Sequence, residues 1–510
     1  MILRYLGHAG WSFEEDGFSI ICDPWHSNEG AFYAAWFQFP SVEGVQLPAR
    51  VDAIYVSHAH DDHFDPETLS RFPRNTPIVI ADFNDPVLLR ELGDLDFENV
   101  RILPDGELLN VGPFSIQIFR DEDFGMYHDS ALMVRSCTGT VLNLNDCRLS
   151  DKYSDTLKPV DVLLGQFSGA SWYPVAYDYP ESRMKSISAD KRRRGLERLC
   201  KNAALFGAAV TIPCAGPPAF LDPSLSHLND IDNANDNPFP MADTAVEFLN
   251  HHGCRSFLSM PGDAFELRDK RLRLLDRTQS PEDVYHNRRK YLCDYAERKV
   301  SVIERYLIKV RPDVSTGEHF KRELLRVVHS SRVFVKQIGG VIRFELLGID
   351  HADIIVDSTG DRSAVLDYDG RPVNYHFIVD HRFVAALLKR RYINFERVFL
   401  SMRFRAARSP DTFNPALFGL LVNFDKDRLF KAESGLEKVQ SNDQGFFELI
   451  HGEKRYLVQR TCPHMAADLS VAGAVEGETL TCTRHGWRFR LRDGLCTNVR
   501  GAAIAVKLKS

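Results

Sequence analysis

The sequence predicts an α/β domain over residues 1–265, a helical and α+β region over 266–435, and a small all-β domain over 436–510. Three observations carry this division. Strand-like apolar runs alternate with helical stretches through the first half. Leu267 to Val328 is rich in Arg, Glu and Leu at helical spacing, then gives way to short strand-like runs. The last segment holds short strands and turn glycines around two Cys/His pairs. A chain of 510 residues should divide in this way, since single cores rarely grow beyond ~250–300 residues.

Taken in order, Met1–Leu6, Ile20–Cys22, Val51–Val56 and Thr140–Asn145 read as strands of the first domain. In the middle region Val333–Val335, Val341–Leu346 and Ile354–Asp357 read as strands. Asp367–Gly370 reads as a turn and Phe383–Arg390 as a helix. A short linker near 431–435 leads to the last domain, in which Tyr456–Val458 is a strand and Gly494 supplies a turn. The middle region carries no catalytic motif, and its expected roles are pocket wall and spacer.

The strand Val51–Val56 runs into Ser57-His58-Ala59-His60-Asp61-Asp62-His63. A His-x-His-x-Asp-His run on a loop leaving a strand can place two imidazoles on one metal, with the Asp and last His reaching a neighbouring one. A surface histidine cluster is the plain alternative, but four ligand-type residues in six positions at a strand end argue against it. The run resembles the signature of the metallo-β-lactamase superfamily, as do Gly7-His8-Ala9-Gly10 and Ile20-Ile21-Cys22-Asp23-Pro24-Trp25. The resemblance implies an αββα sandwich. It also implies that Asp23 orients the ligand loop, that His128 is the third histidine, and that Asp146 is a carboxylate bridging two metals. One expected ligand is missing: Val210 to Pro218 has no histidine where the superfamily carries its last one. The second metal position is then completed by Cys214 or His8, weaker, or empty.

The second ligand set is Cys462-Pro463-His464 and Cys482-Thr483-Arg484-His485. Two thiolates for one iron and two imidazoles for the other are the ligands of a Rieske [2Fe–2S] cluster. Zinc sites favour Cys-x2-4-Cys pairs, and neither half has one. The cysteine pair that links the ligand loops in respiratory Rieske proteins is absent here, which matches the ferredoxin and oxygenase branch. Such a cluster moves one electron at a time.

Composition excludes several classes. A net charge of -7 argues against a nucleic-acid binder. The run Lys191–Arg194 reads as a solvated helix face, although an acidic substrate could use it. No apolar run reaches the ~18 residues of a membrane span, and the N-terminus enters a strand without a signal-peptide pattern. Ten cysteines lie scattered. Those outside the cluster, such as Cys22, Cys137 and Cys254, read as buried free thiols, which suits a reducing cytoplasm.

The Asp-x2-His-x4-His iron motif common in Rieske oxygenases is not present, so electrons from the cluster need another destination. The N-terminal histidine loop is the other rich ligand set. Zinc has no redox chemistry, so iron is the metal expected there. A metallo-β-lactamase-like domain joined to a Rieske domain resembles the CMP-N-acetylneuraminate hydroxylase family, with the domain order reversed. Gln166–Pro174, Cys214–Asp222 and Phe399–Arg405 with Phe413-Asn414 extend the likeness over most of the chain, and Ser168 and Trp172 become candidate pocket residues.

The expected function is a cytoplasmic non-haem iron oxygenase. Iron, one ion or two, is held by His58, His60 and His128, with Asp62, His63 and Asp146 holding or tuning a second metal. The cluster on Cys462, His464, Cys482 and His485 supplies electrons. They come ultimately from NAD(P)H through a reductase, ferredoxin or cytochrome b5-like partner. O2 is the oxidant, and a small molecule, such as a nucleotide sugar, is hydroxylated. N-oxygenation of an amine, a metallohydrolase with a redox-regulatory Rieske domain, and a pure electron-transfer protein are the alternatives.

Overall fold

A computed structural model describes residues 1–509 except 84, 122–127, 150–152, 170, 230–236, 313–314, 349–351, 361–362, 442–444, 453, 464–468 and 483–485. The chain forms two compact units. One contains Met1–Asp121, His128–Val310 and Arg397–Arg403, and the other contains Arg311–Glu396 and Phe404–Ser510.

The first unit is built on fourteen strands: β1 Ile2–Gly7, β2 Gly10–Glu15, β3 Phe18–Cys22, β4 Ala53–Tyr55, β5 Ile78–Ala81, β6 Val100–Leu103, β7 Leu108–Val111, β8 Phe114–Arg120, β9 Ser130–Ser136, β10 Gly139–Asn143, β11 Val162–Gln166, β12 Val210–Cys214, β13 Ala264–Arg268 and β14 Arg271–Asp276. They form an eight-stranded sheet in the order β14-β13-β1-β2-β3-β4-β5-β6 and a six-stranded sheet in the order β12-β11-β10-β9-β8-β7. Leu3, Trp11, Phe13 and Tyr55 of the first sheet meet Ile116, Leu132, Val141 and Val162 of the second in one buried core. Alternate residues face outward. Ile54, Val56 and Ile78 pack under the short helices Pro66–Leu69 and Val87–Gly93. Met133, Leu142 and Leu163 pack under the helices Glu181–Leu205 and Ala242–His251. This is the expected αββα sandwich. Strands β3 to β6 and β10 to β12 run parallel, and burial on both faces explains their continuous apolar runs.

The Leu267–Asp276 stretch differs from expectation. It is the hairpin β13–β14 at the edge of the large sheet, not the start of a helical region. Leu267 and Leu272 are buried while the arginines between and beside them are exposed, a period-two pattern that the Arg/Leu composition concealed.

A late segment completes this unit. Leu400 and Met402 join Trp25, Trp36 and Phe220 in a satellite core, and Arg403 forms a buried ion pair with Asp222 at 2.8 Å. Burial alone would raise the Asp222 pKa, but the Arg403 charge and the Ser224 hydrogen bonds outweigh it and hold the carboxyl low. A carboxylate lowered on folding adds stability above its unfolded pKa of ~3.9, and the contribution drains away as pH falls through the lower folded value. Arg403→Ala is therefore expected to cost about 3–5 kcal/mol at neutral pH, because it strands a buried charge. The deficit should shrink below pH ~4, as denaturant titrations at several pH values would show.

In the second unit β15 Val341–Leu347, β16 Ala352–Asp357, β17 Ala364–Asp367, β18 Tyr375–Asp380 and β19 Phe404–Arg408 form a sheet in the order β17-β16-β15-β18-β19. The helix expected near Phe383 spans His381–Leu388 and is capped by the Asp380 side chain. Val333–Val335, read as a strand, instead enters the helix Phe334–Ile338. The reason is distant in sequence. The buried Glu433 carboxylate accepts hydrogen bonds from the backbone N–H groups of Arg332, Val333 and Phe334, at 2.9–3.1 Å, satisfying the open donors of that helix start. Glu433 itself lies in the helix Lys426–Ser441, so the stretch read as a linker is helical.

The C-terminal part pairs β20 Phe446–His451, β21 Lys454–Gln459 and β25 Val506–Lys509 in one sheet. A second sheet is made of β22 Gly473–Glu476, β23 Thr479–Cys482 and β24 Arg488–Arg490. The Gly494 turn has φ +70, and a Cβ there would stand 1.9 Å from the Ile504 carbonyl oxygen. Glycine is therefore required on two grounds.

Among the described residues no helix is long and apolar enough to cross a membrane. Cys22 is buried as expected. Cys137 is exposed, because it sits in the β9–β10 turn, and Cys254 is half-buried with its sulfur 3.0 Å from that of Cys200.

Candidate metal centre

The site forms where parallel strands end. Asp23 follows β3, Ser57 to His63 follow β4, Asp146 follows β10 and Gln166 closes β11. The carboxyl ends of parallel strands are the usual place for such a site.

Asp23 organises the histidine loop. Its carboxylate accepts from the Ser57 backbone N–H at 2.7 Å, from the Ser57 hydroxyl at 2.6 Å and from His63 Nδ1 at 2.8 Å. The carboxylate thus places a hydrogen on Nδ1 and turns the other ring nitrogen of His63 into the cleft. The Ser130 hydroxyl donates to the Ser57 carbonyl at 2.8 Å and fixes the loop from the second sheet. From outside, Arg397 donates to Asp61 and lies 3.6 Å from Glu91, so Asp61 points away from the cleft.

Among the described residues two groups could each hold a metal ion: His58 with His63 and Asp146, and His8 with Asp62 and His63. His63 belongs to both. Its Nε2 lies 3.7 Å from Asp62 Oδ2 and 3.7 Å from Asp146 Oδ1. The donor set fits a cation: His63 Nε2, Asp62 Oδ1 and Asp146 Oδ1 are buried without hydrogen-bond partners. Titration reflects the same crowding. Burial would lower the His63 pKa, yet the carboxylates of Asp62, Asp146 and Asp23 raise it to about 10. Burial and the neighbouring imidazoles push His58 well down, so it offers a lone pair rather than a proton. Asp62 is held low by His63 and His8 against the pull of burial. Asp146 is raised by burial and by Asp62, although His63 opposes them.

His8, one of the two residues named for the missing ligand, stands beside Asp62 and His63 in one of these groups. It sits at the β1–β2 turn with φ +49, a left-handed conformation uncommon for residues other than glycine. Its carbonyl accepts from the Tyr5 hydroxyl at 3.0 Å and from the backbone N–H of Ala215 at 2.9 Å, beside the point where the superfamily places its last histidine. Its Nε2 lies 2.9 Å from Asp62. Cys214, the other candidate, faces the core between the sheets, and burial pushes its thiol up to about 12.

His60 faces His58, with His60 Nδ1 2.9 Å from His58 Nε2. His128 stands apart from both groups. Its Nε2 is 3.4 Å from Asp85, and its ring lies against Phe83. The neighbouring Asp129, which sequence reasoning passed over, brings a carboxylate oxygen 3.7 Å from His58 Nε2. No spacing rule singles out Asp129, since it follows His128 directly. Ser168 is buried with its hydroxyl unpartnered and lines the same cleft as His8, Asp62 and Asp146. Trp172 packs on Phe399 at 5.0 Å instead.

The C-terminal ligand set is described in part. Cys462 and Cys482 are fully buried in one cluster with Leu480, Trp487 and Phe489. The Cys482 N–H donates to the Trp487 carbonyl at 2.8 Å. His464 and His485 lie outside the described residues.

Comparison with known proteins agrees with both halves. Residues 2–178 match the beta-lactamase superfamily domain, 318–438 the Rv3818-like, SCP2-like domain, and 433–507 the Rieske [2Fe-2S] domain. A Rieske 2Fe-2S iron–sulfur protein of Mycolicibacterium smegmatis is 33% identical over 524 residues, spanning 98% of each chain. One from Mycobacterium tuberculosis is 31% identical over 529 residues, again spanning 98% of each. Cytidine monophosphate-N-acetylneuraminic acid hydroxylase of Danio rerio is 23% identical over 243 residues, covering 46% of this chain and 41% of that protein. With full-length similarity at this level, the chain belongs to the family of Rieske 2Fe-2S iron–sulfur proteins that open with a metallo-β-lactamase-like domain and end with the Rieske domain.

Proposed function

We propose that this protein is a Rieske-type oxygenase whose substrate reacts at the N-terminal metal centre, with the C-terminal cluster supplying the electrons. One observation carries the reading: a buried cage of imidazoles and carboxylates with unsatisfied donors stands on the same chain as a one-electron carrier. Iron in that cage would supply oxygen activation and redox chemistry. His63, His58 and Asp146 would hold one ion, with His60 or Asp129 completing it. His8, Asp62 and His63 would hold a second. Asp23 and Ser57 fix the imidazoles, and the sandwich core behind them keeps bulk water out. The relative from Danio rerio is a hydroxylase by name, which supports insertion of oxygen into a C–H bond of a small molecule. A reductase or ferredoxin-like donor in the same cell would reduce the cluster.

The test supplies isotopically labelled O2, a reductase system and a pool of nucleotide sugars and small amines to the full-length protein. Label from O2 is expected in product, and product mass separates C- from N-oxygenation. Product carrying oxygen from water alone would identify a hydrolase and end the oxygenase reading.

A further inference from the structure

The helix Glu181–Leu205 presents its basic run in two ways. Arg193 pairs with Asp190 and Glu197 and Arg194 pairs with Asp190 on the outer face, an ordinary solvated arrangement. Arg198, one turn further on, is only partly exposed and has no carboxylate partner among the described residues. Among the described residues its hydrogen bond runs from Nη2 to Gln166 Oε1 at 3.4 Å. Burial and the like charge of Arg148 lower its pKa to about 9, against the pull of Asp146, so the guanidinium keeps its charge at neutral pH. Gln166 and Ser168 line the cleft that also holds Asp146, and the buried Ser168 hydroxyl has no partner. At Gly169 a Cβ would stand 3.3 Å from Gln166 Oε1 and 3.9 Å from Arg198 Nη2, so glycine leaves the approach to both clear.

We propose that Arg198, with Gln166 and Ser168, is the subsite that receives an anionic group of the substrate, a carboxylate or a phosphate, beside the metal centre. This rests on reading the cleft as the substrate site. A guanidinium offers five N–H donors in a planar fork, and this one spends a single donor on a neutral amide. A carboxylate or phosphate takes two of those donors side by side. The same anion would neutralise a charge otherwise left half-buried beside Arg148. Arg198 is thus assigned to substrate recognition.

Inorganic phosphate and acetate serve as probes on the iron-loaded full-length protein, by calorimetric titration. At least one is expected to bind, and Arg198→Gln should weaken it by ~10-fold or more, the scale of a lost charge-assisted contact. Arg198→Lys should fall between, while Arg193→Gln binds as the parent does. Iron content should be the same in all. In the parent, phenylglyoxal modification mapped by mass spectrometry should be slowed at Arg198, and not at Arg193, by the anion that binds. This arm and Arg198→Lys decide the matter if Arg198→Gln does not fold. Protection by phosphate alone points to a phosphoryl group, and protection by acetate alone to a carboxylate. Undiminished binding in Arg198→Gln, binding of neither anion, or unprotected Arg198 would overturn the assignment. None of these readouts depends on turnover, so failure of the oxygenase reading leaves a distinct signature.

Discussion

Replacing His63 with alanine is expected to strip the N-terminal unit of its metal and end turnover while the C-terminal cluster survives. The expectation follows from His63 belonging to both ligand groups and from its Nε2 lying equally far from Asp62 and Asp146. Removal of this ring takes a ligand from each ion at once and leaves two buried carboxylates facing each other. Even the loss of an outer-shell partner can cost ~10–100-fold in metal affinity or activity, so loss of a shared ligand should exceed that. Iron analysis should fall to the two atoms of the cluster, with the cluster's absorption and EPR signal unchanged. His8→Ala should remove only the second ion. Iron in His63→Ala equal to the parent protein would show that the cage is not the metal site.

Cys482→Ser should have the opposite pattern: iron retained in the N-terminal unit, the Rieske signal gone and oxygen-dependent turnover reduced to background. Cys482 and Cys462 are fully buried among Leu480, Trp487 and Phe489, so the cluster they hold would be part of the core of this small domain. Metal binding in such domains contributes directly to folding. The variant should therefore also melt earlier, as circular dichroism of the strand signal would record. The low average g-value EPR signal of mixed Cys/His ligation, present in the parent and absent in the variant, checks the ligand type. Retention of that signal in Cys482→Ser would refute the assignment of this cysteine.

Both candidate ligand motifs stand out in the sequence because metal chemistry demands particular residues at short spacing. The αββα sandwich was legible because its parallel strands are buried on both faces and read as apolar runs. What escaped were effects carried by residues far apart in the chain. The helix Phe334–Ile338 looks like a strand locally, and only Glu433, about one hundred residues later, satisfies its start. Asp129 shows no pattern beside the more conspicuous His128, yet the fold turns its carboxylate toward His58. His8 was one of two candidates for the missing ligand, and the fold sets it beside Asp62 and His63 while Cys214 lies in the core. Arg198 was hidden in a basic run whose other members are ordinary surface charges.

The Arg397–Asp61 clamp joins positions 336 residues apart. Closing a flexible loop of that length costs roughly 5 kcal/mol of chain entropy, which the satellite core around Leu400 and the Arg403–Asp222 pair must offset. During synthesis the histidine loop is therefore made early and latched late. At ~5–20 residues per second the ribosome needs tens of seconds to reach Arg397 after Asp61 has emerged. From the emergence of Asp146 onward all the candidate ligands are made, but the latch is not. The histidine loop is thus held by a segment that carries none of the candidate metal ligands.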